Sequence, residues 1–402
     1  MKKNSSEIIF NNANNSYLWD TRNNKYTDFS MSNGALILGH SNKMQLNSLK
    51  KNLKNGLNYS NENYSKYEYS KTLLKYFNDF EEVIFSNSGS EANTRAYRIC
   101  KSLTGKDQFA MISGSWHGSL DPFMFDLVNN KKISLSLGND SYKDKVNILP
   151  HNNISKSLDI LNKNKSKISM IIVECVQASF PSEKNITYLK AIYKFAKKNK
   201  IIIVFDEIIT GMRVSKFAIH KKYKLKPDMV TLGKCFGGGL PVGITLISKE
   251  ISKKIKSMKN KIFFGGTFSG NPYVTSVGLD TFKYIQKNKK ILKLINDKSL
   301  KLQKKINSFA VKNNKEFRLI RFESILRPIF TSNNIFGKNE RAKYDKDNKK
   351  SSSLRNYLLN KKINLPRNGC IFVSYSHTLK DINKLITAIK LFIINHSDDH
   401  KF

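Results

Sequence analysis

The stretch IIIVFDEIITGMRVSKFAIHKKYKLKPDMVTLGKCFGGGLPVG, Ile201 to Gly243, decides the fold. An apolar run, Ile201 to Phe205, breaks at the carboxylates Asp206 and Glu207; a second, Met229 to Leu232, breaks at Gly233-Lys234 and is followed by the glycines 237–239. Short continuous apolar runs bounded in this way read as strands buried on both faces. Two such strands that end in an acid and a lysine put a site at the carboxyl edge of a sheet, where open α/β sheets bind ligands.

A lysine in such a site suits Schiff-base chemistry, because desolvation lowers its pKa and frees the amine as a nucleophile. A nearby acid suits a ring nitrogen that has to stay protonated. Together, Lys234 and Asp206 suggest pyridoxal 5′-phosphate, to which proteins contribute a lysine imine and an acid–pyridinium pair.

Composition sets the outer bounds. With 402 residues, 40% hydrophobic and 11% aromatic, the chain has room for two domains and a large core. No apolar run is long enough to cross a bilayer, and the basic N-terminus lacks an apolar signal region, so no membrane partner is expected. Cys100, Cys175, Cys235 and Cys370 lie far apart and form no CxxC or Cys/His cluster, which reads as reduced thiols in a cytoplasmic protein without a metal site. The net charge of +39 taken alone points to nucleic acid. The excess is spread along the chain, is nearly all lysine and comes with abundant asparagine; with no arginine-rich helix or nucleic-acid motif, it reads as coding bias, and no nucleic-acid partner is expected.

Taken in order, Tyr17 to Asp20 and Lys25 to Phe29 alternate around Arg22-Asn23-Asn24 as a hairpin. Helices are expected at 43–55 and 68–77. Val83 to Phe85 then runs into Ser86-Asn87-Ser88-Gly89-Ser90-Glu91-Ala92, a strand, a small-residue turn and a helix over 91–103, with Ser90 as the expected N-cap. Free N–H groups at such a helix start suit a phosphate; an ordinary capped turn fits the same residues. A strand at 108–113 delivers Trp116-His117-Gly118, where the indole suits a planar ring or simply fills core. Ser169 to Val173 forms another strand, ending at Glu174, and 184–199 another helix. This alternation predicts an α/β fold with a large, doubly wound, mostly parallel sheet domain over 45–285. Residues 1–44 and 286–402 read as a smaller α+β domain, in which the polar stretch 332–353 is expected to be a mobile loop.

The motifs also occur together in a recognisable order. Asn87 to Ala92, Trp116-His117-Gly118, Phe205 to Arg213, Pro227-Asp228 with Thr231 to Lys234, Gly237 to Gly243 and Gly266 to Pro272 are in register with the class III pyridoxal-phosphate-dependent aminotransferases. Within that family the chain is most similar to the glutamate-1-semialdehyde 2,1-aminomutase group, from about Tyr17 to Ile393 and most strongly over 83–278. The resemblance implies fold type I and a homodimer with a shared active site. Lys234 would carry the cofactor as an aldimine and then move the α-proton, while Asp206 would pair with the pyridinium nitrogen. Trp116, with His117 beside it, and Ile208 would flank the ring. Ser88, Gly89 and Ser90 would bind the phosphate, and Thr267 would reach the phosphate of a neighbouring subunit.

The sequence departs from this group on the substrate side. Asn33 stands where the group has tryptophan, no arginine precedes Arg22, and Leu365 to Cys370 is a shortened replacement for a stretch that normally carries an acid. These changes suggest an intermolecular transaminase, acting on a small-molecule amino donor and a carbonyl acceptor through pyridoxamine phosphate, with Asn33, Arg213 or Arg367 near the substrate. The alternative is the aminomutase itself, and a further one, from another class, is a basic nucleic-acid-binding or non-catalytic protein.

Overall fold

The structure is a computed structural model and describes residues 8–59, 61–346 and 348–395. Two compact units emerge: Asn47–Asn288 with Ile335–Glu340 forms the larger, and the segments up to Leu46, Lys289–Asn334 and from Arg341 onward form the smaller.

The larger unit is built on a seven-stranded sheet. Its strands are β1 (Phe80–Ser86), β2 (Gln108–Ile112), β3 (Val146–Leu149), β4 (Ile168–Glu174), β5 (Ile202–Asp206), β6 (Met229–Gly233) and β7 (Gly243–Ser248), in the order β1-β7-β6-β5-β4-β2-β3. Only β7 runs against its neighbours: its pairs with β6 and β1 are antiparallel and the other four pairs are parallel. Every residue of β4, β5 and β6 is buried, which is why these strands read as near-continuous apolar runs, interrupted inside only by Ser169 and Thr231, instead of alternating. Helices cover the sheet; Gly89–Thr104 presents Ala96, Ile99 and Cys100 to a core that includes Phe109, Met111, Met170, Ile172 and Val204. The six parallel strands share one carboxyl edge, and that edge carries Ser86, Ile112, Glu174, Asp206 and Gly233 at the strand ends.

The smaller unit holds two short sheets. Phe10–Asn14, Tyr17–Asp20, Lys25–Asp28 and Ile363–Asn364 form one; Arg318–Phe322, Ile325–Ile329 and Ile371–Phe372 form the other. The expected hairpin forms, and its turn is held by Asp20 Oδ1, which accepts from the N–H groups of Arg22 (2.9 Å) and Asn24 (2.8 Å). Among the described residues no helix is long and apolar enough to cross a membrane.

Three local expectations need correction. The stretch 332–353 is not a structureless loop: it contains helix Lys338–Tyr344 and the start of helix Lys349–Asn360. Its polar composition hides a buried anchor, Asp345, which accepts from Arg341 Nη1 at 2.8 Å and from the Ser351 N–H at 2.7 Å. The helix expected at 68–77 runs over Tyr64–Tyr76, because Asn63 caps it by accepting from the Lys66 N–H. Helix Gly89–Thr104 is capped by Ser88, not Ser90, with the Ser88 hydroxyl accepting from the Glu91 N–H at 3.2 Å.

Strand β7 passes so close to this cap that a Cβ on Gly243 would collide with the Ser88 carbonyl oxygen. Gly243→Ala is therefore expected to destabilise the larger unit by about 1–3 kcal/mol, the usual cost of overpacking. A lowered thermal midpoint in differential scanning fluorimetry, together with weaker cofactor retention, checks this.

Candidate active site

Asp206 closes β5, and its parallel neighbour β4 ends level with it at Glu174. Both carboxylates are buried, so each needs partners. Asp206 Oδ2 accepts from Asn93 Nδ2 and from His117 Nδ1, each at 2.8 Å, and Oδ1 accepts from the Ile208 N–H at 3.0 Å. Asn93 is itself fixed: it donates to the His117 carbonyl at 2.8 Å and accepts from the Thr231 hydroxyl at 2.6 Å. One side chain from helix Gly89–Thr104 thus ties the ends of β5 and β6 to the loop after β2.

The opening carboxylate pair splits in function. While Asp206 faces this network, Glu207 is turned into a structural role. It accepts from the Thr210 hydroxyl (3.0 Å), the Ile219 and His220 N–H groups (2.5 and 3.0 Å) and His220 Nδ1 (2.7 Å).

Glu174 ties a second loop. Its Oε2 accepts from the Trp116 N–H at 3.2 Å and its Oε1 from the Ala178 N–H at 3.0 Å. Burial, with the Asp206 charge adding to it, pushes its carboxyl up to about 7. Trp116 is 53% exposed, so it is not a core filler. His117 is buried, and its Nε2 has no partner among the described residues.

Lys234 directly follows β6 with φ +47, a left-handed backbone conformation that is costly for a side-chain-bearing residue and typical of functional positions. Burial lowers its pKa, opposed by the charges of Asp206 and Glu174 and reinforced by Arg213. Its amine makes no hydrogen bond among the described residues. Arg213 is itself buried and is hydrogen-bonded to the Cys235 side chain, which makes it a fixed positive charge near Lys234.

At the helix start, the N–H groups of Gly89 and Ser90 have no bonded acceptor among the described residues, and the positive helix end faces the same carboxyl edge. Ser90 Oγ accepts from the Ser119 N–H at 3.2 Å, which joins this turn to the Trp116 loop. Ile208 packs over Gly89, where a Cβ would lie 2.5 Å from its Cδ1, and over Gly233, where the gap would be 3.3 Å. Thr267 lies on an exposed stretch that Arg95 hangs on helix Gly89–Thr104, through Nη2 to the Gly265 carbonyl (3.0 Å) and to Ser269 Oγ (3.2 Å). Asn33 and Arg367 are exposed residues of the smaller unit: Asn33 has φ +52, and Arg367 sits in the Pro366–Gly369 turn.

A free N–H pair at a helix start, a carboxylate held by three donors and an unbonded, desolvated amine fit a phosphorylated pyridine aldehyde. The sequence matches the family described as Aminotransferase class-III over residues 1–334. It is 30% identical to a glutamate-1-semialdehyde 2,1-aminomutase of Thermosipho melanesiensis over 408 aligned positions, 96% of this chain and 92% of that protein.

The chain belongs to the class III aminotransferases.

It is also 35% identical to a glutamate-1-semialdehyde 2,1-aminomutase of Archaeoglobus fulgidus, over 68% of this chain and 66% of that one. An omega-transaminase from Sphaerobacter thermophilus superposes with a TM-score of 0.88, at 17% identity and covering 96% and 91% of the two chains. A glutamate-1-semialdehyde aminomutase from Pseudomonas aeruginosa superposes with a TM-score of 0.86, at 15% identity and 95% and 86% coverage. The chain is thus an enzyme of the pyridoxal-phosphate-dependent transaminase fold, and its cofactor is pyridoxal 5′-phosphate.

Two residues of this constellation escape the sequence reading, Asn93 and Glu174. Glu174 carries the same signal as Asp206, an acid that ends an apolar run. Asn93 gives none beyond its place on the helix.

The raised carboxyl of Glu174 makes a signed prediction. The folded state favours its protonated form, so its contribution falls as pH rises from the ordinary glutamate range near 4.5 through about 7. Glu174→Gln is expected to flatten that decline in the cofactor-free protein, as read from thermal midpoints between pH 5 and 8.

Proposed function

We propose that the enzyme transfers an amino group from a small-molecule donor to a carbonyl acceptor, with Lys234 as the cofactor-bearing and proton-moving residue. The observation that carries this is the Lys234 amine: buried, lowered in pKa and unbonded, in the field of Asp206 and Glu174 at one sheet edge.

Lys234 and Asp206 would hold the cofactor at its two reactive ends, Gly89 and Ser90 with Ser88 would hold its phosphate, and Trp116 and Ile208 would flank its ring. When bound, the group supplies an electrophilic carbon and an electron-withdrawing ring. The protein's own contributions follow from the geometry. Burial lowers the Lys234 pKa and so eases loss of its proton, which suits an amine that has to accept a proton and return it to a different carbon. Three donors keep Asp206 as an acceptor aimed by Asn93 and His117. Ile208, packed against Gly89 and Gly233, would present an apolar face to the ring.

The same reading includes a homodimer with a shared site and a cytoplasmic location. Support for the dimer comes from exposed apolar surface in the larger unit. Phe263 and Phe268 are 74% and 63% exposed, and Leu57, Tyr64 and Tyr67 are exposed on the adjoining segment, which Asn58 and Asn63 bond to Thr267 and Gly270. Thr267 lies within this surface, where a second copy could use it. Phe268→Asp is expected to shift the protein from dimer to monomer in analytical ultracentrifugation and to abolish activity; an active monomer would remove the shared site.

Intermolecular transfer is favoured over the aminomutase reaction by Asn33 and by the shortened turn at 365–370. The aminomutase reading is favoured by the names of the relatives from Thermosipho and Archaeoglobus. Presenting a panel of amino donors to the purified enzyme, and glutamate 1-semialdehyde in parallel, separates the two. A spectral change of the cofactor with one or more donors, and little turnover of the semialdehyde, is expected. Lys234→Ala is expected to lower turnover on the order of 10²–10⁴-fold, the range of a lost general base, or further.

A further inference from the structure

The smaller unit contains a cluster that neither the cofactor nor the proton transfer uses. Arg327 lies on strand Ile325–Ile329 and Arg341 follows in the chain beyond it; both are more than nine-tenths buried. A guanidinium has five N–H donors. Arg327 donates through Nη1 alone, to the Asn368 carbonyl and to Cys370 Sγ (3.5 Å). Arg341 also donates through Nη1 alone, to Asp345 Oδ2 at 2.8 Å. Both Nε atoms are buried without a partner, and neither Nη2 has an acceptor among the described residues. Each arginine therefore leaves open the Nε–Nη2 edge, the fork that grips a carboxylate with two parallel bonds.

The charges do not balance either. Among the described residues Arg341 has one buried carboxylate partner, Asp345, whose oxygens are shared with Ser351, and Arg327 has no carboxylate partner. Burial, with the Arg327 charge adding to it, brings Arg341 down to about 10, against the pull of Asp345. A buried cation short of a counter-charge is costly, and an anion in the right place relieves it. Gly369 lies against this edge: a Cβ there would be in ordinary contact, 3.7 Å from both Cζ and Nη2 of Arg327 and 3.8 Å from Ser351 Cβ.

We propose that Arg327 and Arg341, around Gly369, form a binding site for a carboxylate or closely similar small oxyanion. The site forms from the smaller unit's residues alone. Its extension to substrate, the carboxylate of an acidic amino donor or acceptor, rests on the transaminase reading above. In that case Arg327 takes the role that the sequence suggested for Arg213 or Arg367. Arg213 is enclosed beside Cys235, and Arg367 is exposed on the turn.

The test uses the holoenzyme and isothermal titration at constant ionic strength, with glutarate and inorganic sulfate as probes. Wild-type protein is expected to bind glutarate saturably. Arg327→Lys keeps the charge but loses the fork, and about a tenfold weakening is expected. Gly369→Asp supplies a carboxylate beside Arg327 at a left-handed position that aspartate tolerates, and it is expected to abolish binding while the fold, followed by circular dichroism, persists. If Gly369→Asp raises KM about tenfold for a donor with a second carboxylate and leaves KM for a neutral donor unchanged, the bound group is the substrate's. If glutarate and sulfate binding are both lost and both KM values hold, the site keeps a free anion. No saturable binding by wild type, or equal binding in both variants, overturns the proposal. A protein that binds glutarate but transfers no amino group sinks the transaminase reading and leaves this site standing.

Discussion

A carboxylate at the end of a fully buried strand persists only if its oxygens are bonded, and Asp206 meets that condition through Asn93, His117 and the Ile208 N–H. Much of the larger unit's active edge depends on this arrangement. Asn93 can reach Asp206 only because helix Gly89–Thr104 starts at Ser88, and that start also exposes the N–H groups of Gly89 and Ser90. His117 can reach it only because the loop after β2 turns back over the sheet, where Glu174 holds the preceding residue, Trp116, by its N–H. Thr231, bonded to Asn93, brings in the strand that delivers Lys234. A single anchored acid thus fixes three loops relative to one another, which a site with a reactive amine needs if its groups are to stay aligned.

The fold was legible because of one sheet property. Strands buried on both faces are apolar along most of their length, so Ile201–Phe205, Met229–Leu232 and Ser169–Val173 stand out from a lysine-rich background. The residues that end those runs stand out for the same reason, and Asp206 and Lys234 could be picked from their positions alone. Local ends were harder. Three serines compete for the cap at 86–90, and the pairing of Ser88 with Glu91 three residues later was the signal that decides it. In 332–353, charged and polar residues hid two helices, because the residue that anchors them is a buried aspartate where a hydrophobic one would have been conspicuous. Asn93 was illegible for a different reason: its importance lies in contacts with residues 24, 113 and 138 positions away in sequence.

The substrate side differs in kind. Glu174, Asp206 and Lys234 lie at strand ends, where topology dictates their position; the smaller unit's Asn33 and Arg367 sit on exposed turns, where it dictates little. The buried arginines there are informative because burial makes unpaired charge expensive, so an open guanidinium edge constrains what can occupy it. The surplus of lysine that gives the chain its net charge carries no such information, since solvated lysines are tolerated almost anywhere on a surface.

The central claim is that Lys234 carries the cofactor. Borohydride reduction of the holoenzyme, followed by proteolysis and mass spectrometry, tests it most directly, because reduction makes the lysine–cofactor link permanent without requiring a known substrate. The account predicts a single phosphopyridoxyl adduct on the peptide containing Lys234 and none in Lys234→Ala. An adduct spread over other lysines, or one that persists at another residue when Lys234 is replaced, would contradict it.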